Sequence, residues 1–364
     1  MITSPTLILD KAKCKRNIAN MYHKSLKHGI MLRPHFKTHQ SLEVGRWFKE
    51  VGVSKITVSS LQMASYFAQD WDDITVAFPV NILEIDTIND LASRINLNIL
   101  VESEDSVKFL IEHLQHPVNF YIKINIGNNR AGFLHYDTEG IKSLLQVASG
   151  SDKLNFIGFL GHAGHTYKCR GKVEILSTHN EAKTKLVALK NQFINQYPDI
   201  IASYGDTPSC SVAENFENLD ELRPGNFVFY DLVQTQIGSC NVEDIAVALE
   251  CPIVGVHKKQ SELIIYGGGI HLSKDSMVDD EFGTIFGKLA KKTSKGWDGL
   301  IPNTYLRGVS QEHGVVKVPK SEIENFKVGD TVLVFPVHSC MTADLLKRFQ
   351  TTNGDQITMM QHTF

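Results

Sequence analysis

From about residue 29 to residue 231, short β-rich runs alternate with segments whose apolar residues recur every three and four positions. That alternation is the pattern of repeated βα units, and it predicts a parallel sheet covered by helices. Candidate strands fall at 30–36, 55–59, 74–78, 97–102, 119–126, 156–162, 202–206 and 224–230. Plausible helices between them are 42–51, 61–69, 82–94, 105–114, 138–148 and the long 173–197. Eight such units point to a closed ring, so the predicted fold class is α/β, a TIM-type (β/α)8 barrel.

A barrel of this kind takes roughly 250 residues, and the chain has 364. After about Gly238 the texture changes to β-rich runs at 246–257, 262–266, 303–309, 314–318 and 331–336, separated by Gly, Asp and Lys turns. These predict a second, mainly β domain. The division expected is a barrel over 12–240 and a β-rich domain over 241–364, joined by residues 1–11, whose run 6–10 precedes a helix at 11–27. The polar, Lys- and Asp-rich stretch 273–299 reads as a surface excursion.

Thirty-seven Lys and Arg against 40 Asp and Glu give no general pull toward nucleic acid or anionic membrane. No apolar run approaches the roughly 18 residues of a membrane span, and residues 1–15 lack the features of a signal peptide. The expected location is the cytoplasm and the expected partner a small molecule. Cys14, Cys169, Cys210, Cys240, Cys251 and Cys340 lack the paired spacing of a disulfide framework and read as thiols.

Barrel enzymes carry their working residues at the C-terminal ends of the strands. At the first such end, Arg33-Pro34-His35-Phe36-Lys37-Thr38-His39 packs four ionisable side chains together. A lysine partly desolvated there, near other cations, would be a good amine nucleophile for an aldehyde. The turn 125–132 presents Arg130 among glycines. Gly161-His162-Ala163-Gly164-His165-Thr166-Tyr167 offers two histidines and a tyrosine among small residues that let a ligand approach. Two histidines three apart also suit a metal, but that turn holds no third ligand. Gly205-Asp206-Thr207-Pro208-Ser209 and Arg223-Pro224-Gly225-Asn226 bring hydroxyls and backbone N–H groups to the last strands, where barrels commonly bind phosphate. A phosphate site there and a lysine on the first strand point to a phosphorylated aldehyde, for which pyridoxal 5'-phosphate is the candidate.

With these motifs in order, the chain resembles the metal-dependent branch of the alanine-racemase-like, fold-type III pyridoxal-phosphate enzymes, the D-serine dehydratase and D-threonine aldolase group. The resemblance spans nearly the whole chain. RPHFKTH resembles the family's cofactor-lysine motif, which implies a Schiff base on Lys37. The same resemblance implies cofactor contacts at Arg130, Tyr167, Thr207, Gly225 and Asn226. His338-Ser339-Cys340 is similar to the family's His-x-Cys metal motif. It implies a divalent ion, zinc by the softness of the donors with manganese or magnesium as alternatives, and leaves positions open for water and substrate. Gln311-Glu312-His313-Gly314 resembles another family element, with its Glu and His as candidate outer contacts. Where dehydratases of the group usually carry a tyrosine seven residues before the position of Tyr167, this chain has Leu160, so one polar cofactor contact is absent.

The resemblance implies a homodimeric lyase on small D-3-hydroxy amino acids, working by retro-aldol cleavage or by β-elimination of water. The rival readings are an amino-acid racemase, which needs a proton donor on the opposite cofactor face, and a non-catalytic pyridoxal-phosphate-binding protein. Relatives of the latter kind resemble the barrel alone.

Overall fold

The computed structural model describes residues 2–361. Contacts divide the chain into two compact units, one comprising residues 19–37 and 45–225, the other 1–18, 38–44 and 226–364. The chain enters at β1 (Thr6–Leu9), which belongs to the second unit, and helix α1 (Lys11–Lys27) carries it into the first.

The first unit is a ring of parallel strands. β2 (Met31–Leu32), β3 (Ile56–Val58), β4 (Asp73–Pro79), β5 (Asn96–Val101) and β6 (Val118–Asn125) are followed by a short β7 (Phe133–Leu134) that pairs only with β6. β8 (Leu154–Gly161), β9 (Ile201–Tyr204) and β10 (Glu221–Leu222) complete it, in the order β2-β10-β9-β8-β6-β5-β4-β3. A parallel bridge between His35 and Thr57 joins the two ends, so the eight strands close. The predicted barrel is therefore present. Its helices are α2 (Leu42–Glu50), which starts in the second unit, then α3 (Leu61–Phe67), α4 (Ile85–Ala92), α5 (Glu104–His113), α6 (Thr138–Ala148), α7 (Lys172–Phe193) and α8 (Thr207–Val212). Ser60, Ser103, Asp137 and Asp206 each accept a backbone N–H of the helix they precede, which satisfies a donor left orphaned at a helix start and fixes where each strand hands over to its helix.

One expected strand is corrected. The eighth lies at Glu221–Leu222, not at 224–230, where Asn226–Val228 forms a 3-10 turn instead. Pro224 has no N–H to give a ladder, and Tyr230 sits at φ +51°, so the aromatic run cannot stay extended. Arg33 is corrected as well. Rather than serving the strand end it is buried inside the ring, with Nε 2.5 Å from Glu221 and Nη1 2.5 Å from Asp73. The buried Glu221 and the part-buried Asp73 face Arg33, and removing one partner of such a set is far more costly than never having had it.

The second unit is built on a nine-stranded sheet. After α9 (Leu232–Ile237), β11 (Val247–His257) and β12 (Glu262–Tyr266) form a hairpin, and α10 (Gly269–Leu272) leads to a small hairpin of β13 (Met277–Asp279) and β14 (Gly283–Ile285). β15 (Gly287–Thr293), β16 (Gly296–Val309), β17 (His313–Lys317) and β18 (Thr331–Pro336) follow, then α11 (Ser339–Leu346), β19 (Arg348–Thr351) and β20 (Gln356–Thr358). The order is β12-β17-β16-β15-β18-β11-β1-β19-β20, and β12 also pairs with β11, so six of the strands form a second closed ring. In this sheet β1 pairs with β11 and β19. The stretch 273–299 is not a surface excursion: β15 lies between β16 and β18, with Leu289 and Ala290 buried while Lys291 and Lys292 face out. Among the described residues no helix is long and apolar enough to cross a membrane, and all six cysteines are free.

Candidate active site

Because every strand of the first ring runs the same way, its C-terminal ends gather His35 and Lys37, Arg130, His162, Thr207, and Arg223 at one mouth. Lys37 is exposed just beyond the His35 bridge, and its backbone N–H donates to His35 Nδ1 at 3.4 Å. His162 binds the Gly205 carbonyl through Nδ1 at 2.7 Å. Burial, with Lys37, Arg223 and Arg130 nearby, pushes the His35 imidazole well below its ordinary range; burial and the charges of Lys123, Lys37 and Arg130 do the same to His162. Lys123 on β6 is pushed down to about 7 by burial and then by Arg223 and Arg130, with Glu102 as the opposing charge. This mouth thus sets the buried Arg223 and Lys123 beside the exposed Lys37 and Arg130.

Thr207 opens α8, and its buried hydroxyl has no hydrogen-bond partner. Gly205 makes this turn possible: at φ +154° a side chain there would lie 2.5 Å from the Arg223 backbone nitrogen. Tyr167 sits in the 3-10 turn Gly164–Lys168, whose Thr166 donates to Asp206 Oδ1 at 2.8 Å. The close approach expected of the small residues is seen across Gly127, where a Cβ would meet the His165 ring at 2.9 Å. Leu160 is buried in an apolar cluster with Leu100 and Tyr121. A phosphorylated anion fits these residues: it would meet the unpaired Thr207 hydroxyl and offset the clustered cations, beside the one exposed primary amine of the first strand end.

Burial pushes the Asp206 carboxyl up to about 6, against hydrogen bonds from Ser209 and Thr166. Its native value lies above the 3.8 of an ordinary aspartate, so the folded state holds the proton more tightly. The stabilisation is complete below pH 3.8 and is lost as pH rises through 6. Urea unfolding should therefore show the wild type losing about 2 kcal/mol more than Asp206→Asn between pH 4 and pH 7.5. Parallel pH profiles for the two proteins would refute this.

In the second unit His338 caps α11, directly after β18. Its Nδ1 lies 2.9 Å from Asp275 Oδ2. Burial disfavours the imidazolium, yet Cys340, Asp231 and Asp275 together push His338 up to about 10. Burial likewise resists ionisation of Cys340, but His338, Thr38 and Asn226 outweigh it and hold the thiol below its ordinary range. Thr38 Oγ1 is 3.3 Å from Cys340 Sγ, and Asn226 Nδ2 is 3.4 Å from it. Asp231 accepts the Ser339 backbone N–H at 3.0 Å and the Asn226 amide at 2.8 Å, which fixes the turn carrying Cys340. Asn226, expected among the cofactor contacts, is held by this set; its Oδ1 makes no hydrogen bond. The donors, an imidazole beside a thiol biased toward thiolate, suit a borderline-soft divalent ion. Among the described residues no cluster of three or more His, Cys, Asp or Glu is assembled as a metal cage, so two protein donors would leave the rest of such an ion's shell to solvent or substrate.

Of the four ionisable groups at the first strand end, only His35 and Lys37 remain at the mouth. His39 is buried in the second unit, accepts the Ser41 N–H, and is pushed down to about 3 by burial. In the 311–314 element His313 is exposed on β17, while Glu312 acts electrostatically on His271. Lys123, Asp231 and Asp275 are passed over by sequence reading, and Thr38 and Arg223 enter it only as members of their motifs. Only Asp231 carries a local signal, as the residue before a helix start.

The family model "Alanine racemase, N-terminal domain" matches residues 9–232, and "Putative serine dehydratase domain" matches residues 246–352. Among curated proteins, a D-serine dehydratase of Dictyostelium discoideum is 26% identical over 97% of this chain and 94% of its own length. A D-threo-3-hydroxyaspartate dehydratase of Delftia sp. is 26% identical over 97% and 95%. The solved structure of the Delftia enzyme covers 100% of this chain and 99% of its own with a TM-score of 0.92 at 24% identity. A D-threonine aldolase from Filomicrobium marinum covers 98% and 95% with a TM-score of 0.85 at 18% identity. With more than half its length matched by the first model and most of the remainder by the second, the chain belongs to the alanine-racemase-like, fold-type III pyridoxal-phosphate enzymes, in their D-serine dehydratase and D-threonine aldolase group.

Proposed function

We propose that this protein is a pyridoxal-phosphate- and metal-dependent lyase that removes water from a small D-configured 3-hydroxy amino acid, giving a 2-oxo acid and ammonia. The observation that carries the reading is the contact between Thr38, the residue next to Lys37 in the chain, and the Cys340 sulfur of the imidazole–thiol pair. Dehydration is favoured over carbon–carbon cleavage because the dehydratase relatives match 97% or more of the chain, whereas the curated D-threonine aldolase match covers 63%.

When bound, pyridoxal phosphate supplies an electron sink for negative charge at Cα, and a divalent ion supplies a Lewis acid for the β-hydroxyl. Lys37 Nζ is the base that takes the Cα proton. Thr207, Gly225 and the flanking backbone hold the phosphate, while Arg130, Tyr167 and Asn226 orient the cofactor. His338 and Cys340 hold the ion, and zinc suits an imidazole and a thiolate best. The ion is supported by the related D-threo-3-hydroxyaspartate dehydratase, of which a cysteine-to-alanine variant is known in a metal-free form. The proposal extends to a homodimer, from the resemblance, and to the cytoplasm, where six free thiols are at home.

Purified enzyme given D-serine, D-threonine and D-threo-3-hydroxyaspartate, with and without chelator, should release 2-oxo acid and ammonia only without chelator. Glycine and an aldehyde would establish retro-aldol cleavage instead. Chelator-insensitive inversion at Cα would make it a racemase, and no turnover at all would leave a pyridoxal-phosphate-binding protein.

A further inference from the structure

We infer that Asp275 is a positioning residue for the metal site, orienting His338 as a ligand; this rests on the reading of His338 and Cys340 as the ion's protein donors. His338 Nδ1 lies 2.9 Å from Asp275 Oδ2. A carboxylate can only accept, so it holds the proton on Nδ1, and it is Nε2 that gives up its proton to solvent when a metal takes its lone pair. Without that partner the ring keeps its interaction with Cys340, but its proton is no longer fixed on Nδ1.

The carboxylate is itself held in place. The Asp275 backbone N–H donates to Ser273 Oγ at 3.1 Å, and Ser273 is a buried residue at φ +68°. Immediately before it, the Leu272 carbonyl accepts the hydroxyl of Thr342 on α11, the helix that His338 caps, at 3.2 Å. The same helix start is fixed independently by Asp231 through the Ser339 N–H. Two braced segments therefore present carboxylate to imidazole. A stabilising role alone does not account for the pair: the side chains are 43% and 44% exposed, and ion pairs that open to water add little to stability.

The test is a cobalt(II) titration of chelator-treated protein, followed by the thiolate-to-cobalt absorbance, on wild type, His338→Ala, Asp275→Ala and Asp275→Asn. Asp275→Ala should weaken cobalt affinity by about 10- to 100-fold with an unchanged melting temperature before cobalt is added. Asp275→Asn should recover part of the loss, because its amide oxygen still accepts from Nδ1. Wild-type cobalt affinity in Asp275→Ala, whether or not its melting temperature falls, overturns the inference and leaves the pair a structural contact. Absence of the thiolate band in wild type, or undiminished affinity in His338→Ala, overturns the metal reading itself and the inference with it.

Discussion

Lys37→Ala should lower kcat for the preferred D-3-hydroxy amino acid by about 10²- to 10⁴-fold, the range lost when a positioned proton-transfer group is deleted. Lys37 is exposed, and substitutions at such positions usually change stability by no more than about 0.5 kcal/mol. A loss of activity therefore cannot be ascribed to unfolding, and matching circular dichroism and melting curves would verify it. The variant should also lose the absorbance near the visible edge that a cofactor covalently joined to lysine gives. Arginine should not rescue either property, since a guanidinium stays protonated and is no aldehyde nucleophile at neutral pH. Retention of both turnover and colour in Lys37→Ala would remove the central residue of the proposal.

The second large effect concerns the ion. Chelation should lower kcat by about 10²- to 10⁴-fold, because a Lewis acid on a departing hydroxyl is worth several kcal/mol and each 1.36 kcal/mol is tenfold in rate. Adding zinc or manganese back should restore the wild type but not Cys340→Ala or His338→Ala. In Cys340→Ala the Thr38 hydroxyl and the Asn226 amide each lose one contact; Asn226 keeps Asp231 and Ser339, so the fold should survive. Full activity of Cys340→Ala in the presence of chelator would show that the imidazole–thiol pair has no part in the reaction.

The ring of strands and the lysine at its first end were legible in the sequence because both rest on local pattern. Alternation of period two with period 3.6 marks β4, β5, β6 and β8, and a cluster of ionisable residues after an apolar run marks Lys37. What escaped depends on partners far away in the chain. Glu221 looks like a surface residue until Arg33 is seen beside it, so the two-residue strand it begins was displaced onto the more β-like aromatic run that follows. β15 was hidden by its lysines, whose charged ends lie outside while Leu289 faces in. Asp275, in a polar stretch, is indistinguishable from any solvated aspartate; its meaning comes from His338, 63 positions on. Asn226 was expected among the cofactor contacts, but its neighbours Asp231, Ser339 and Cys340 were not readable from its motif.

The chain passes from one unit to the other at residues 18/19, 37/38, 44/45 and 225/226. Residues 38–44 are therefore a graft from the barrel's own stretch of sequence, and Gln40 there is tied to Asp344 and Lys347 near the far end of the polypeptide. No single cut yields either half intact. Exchanging one half for another by recombination would therefore take four breaks in the gene rather than one.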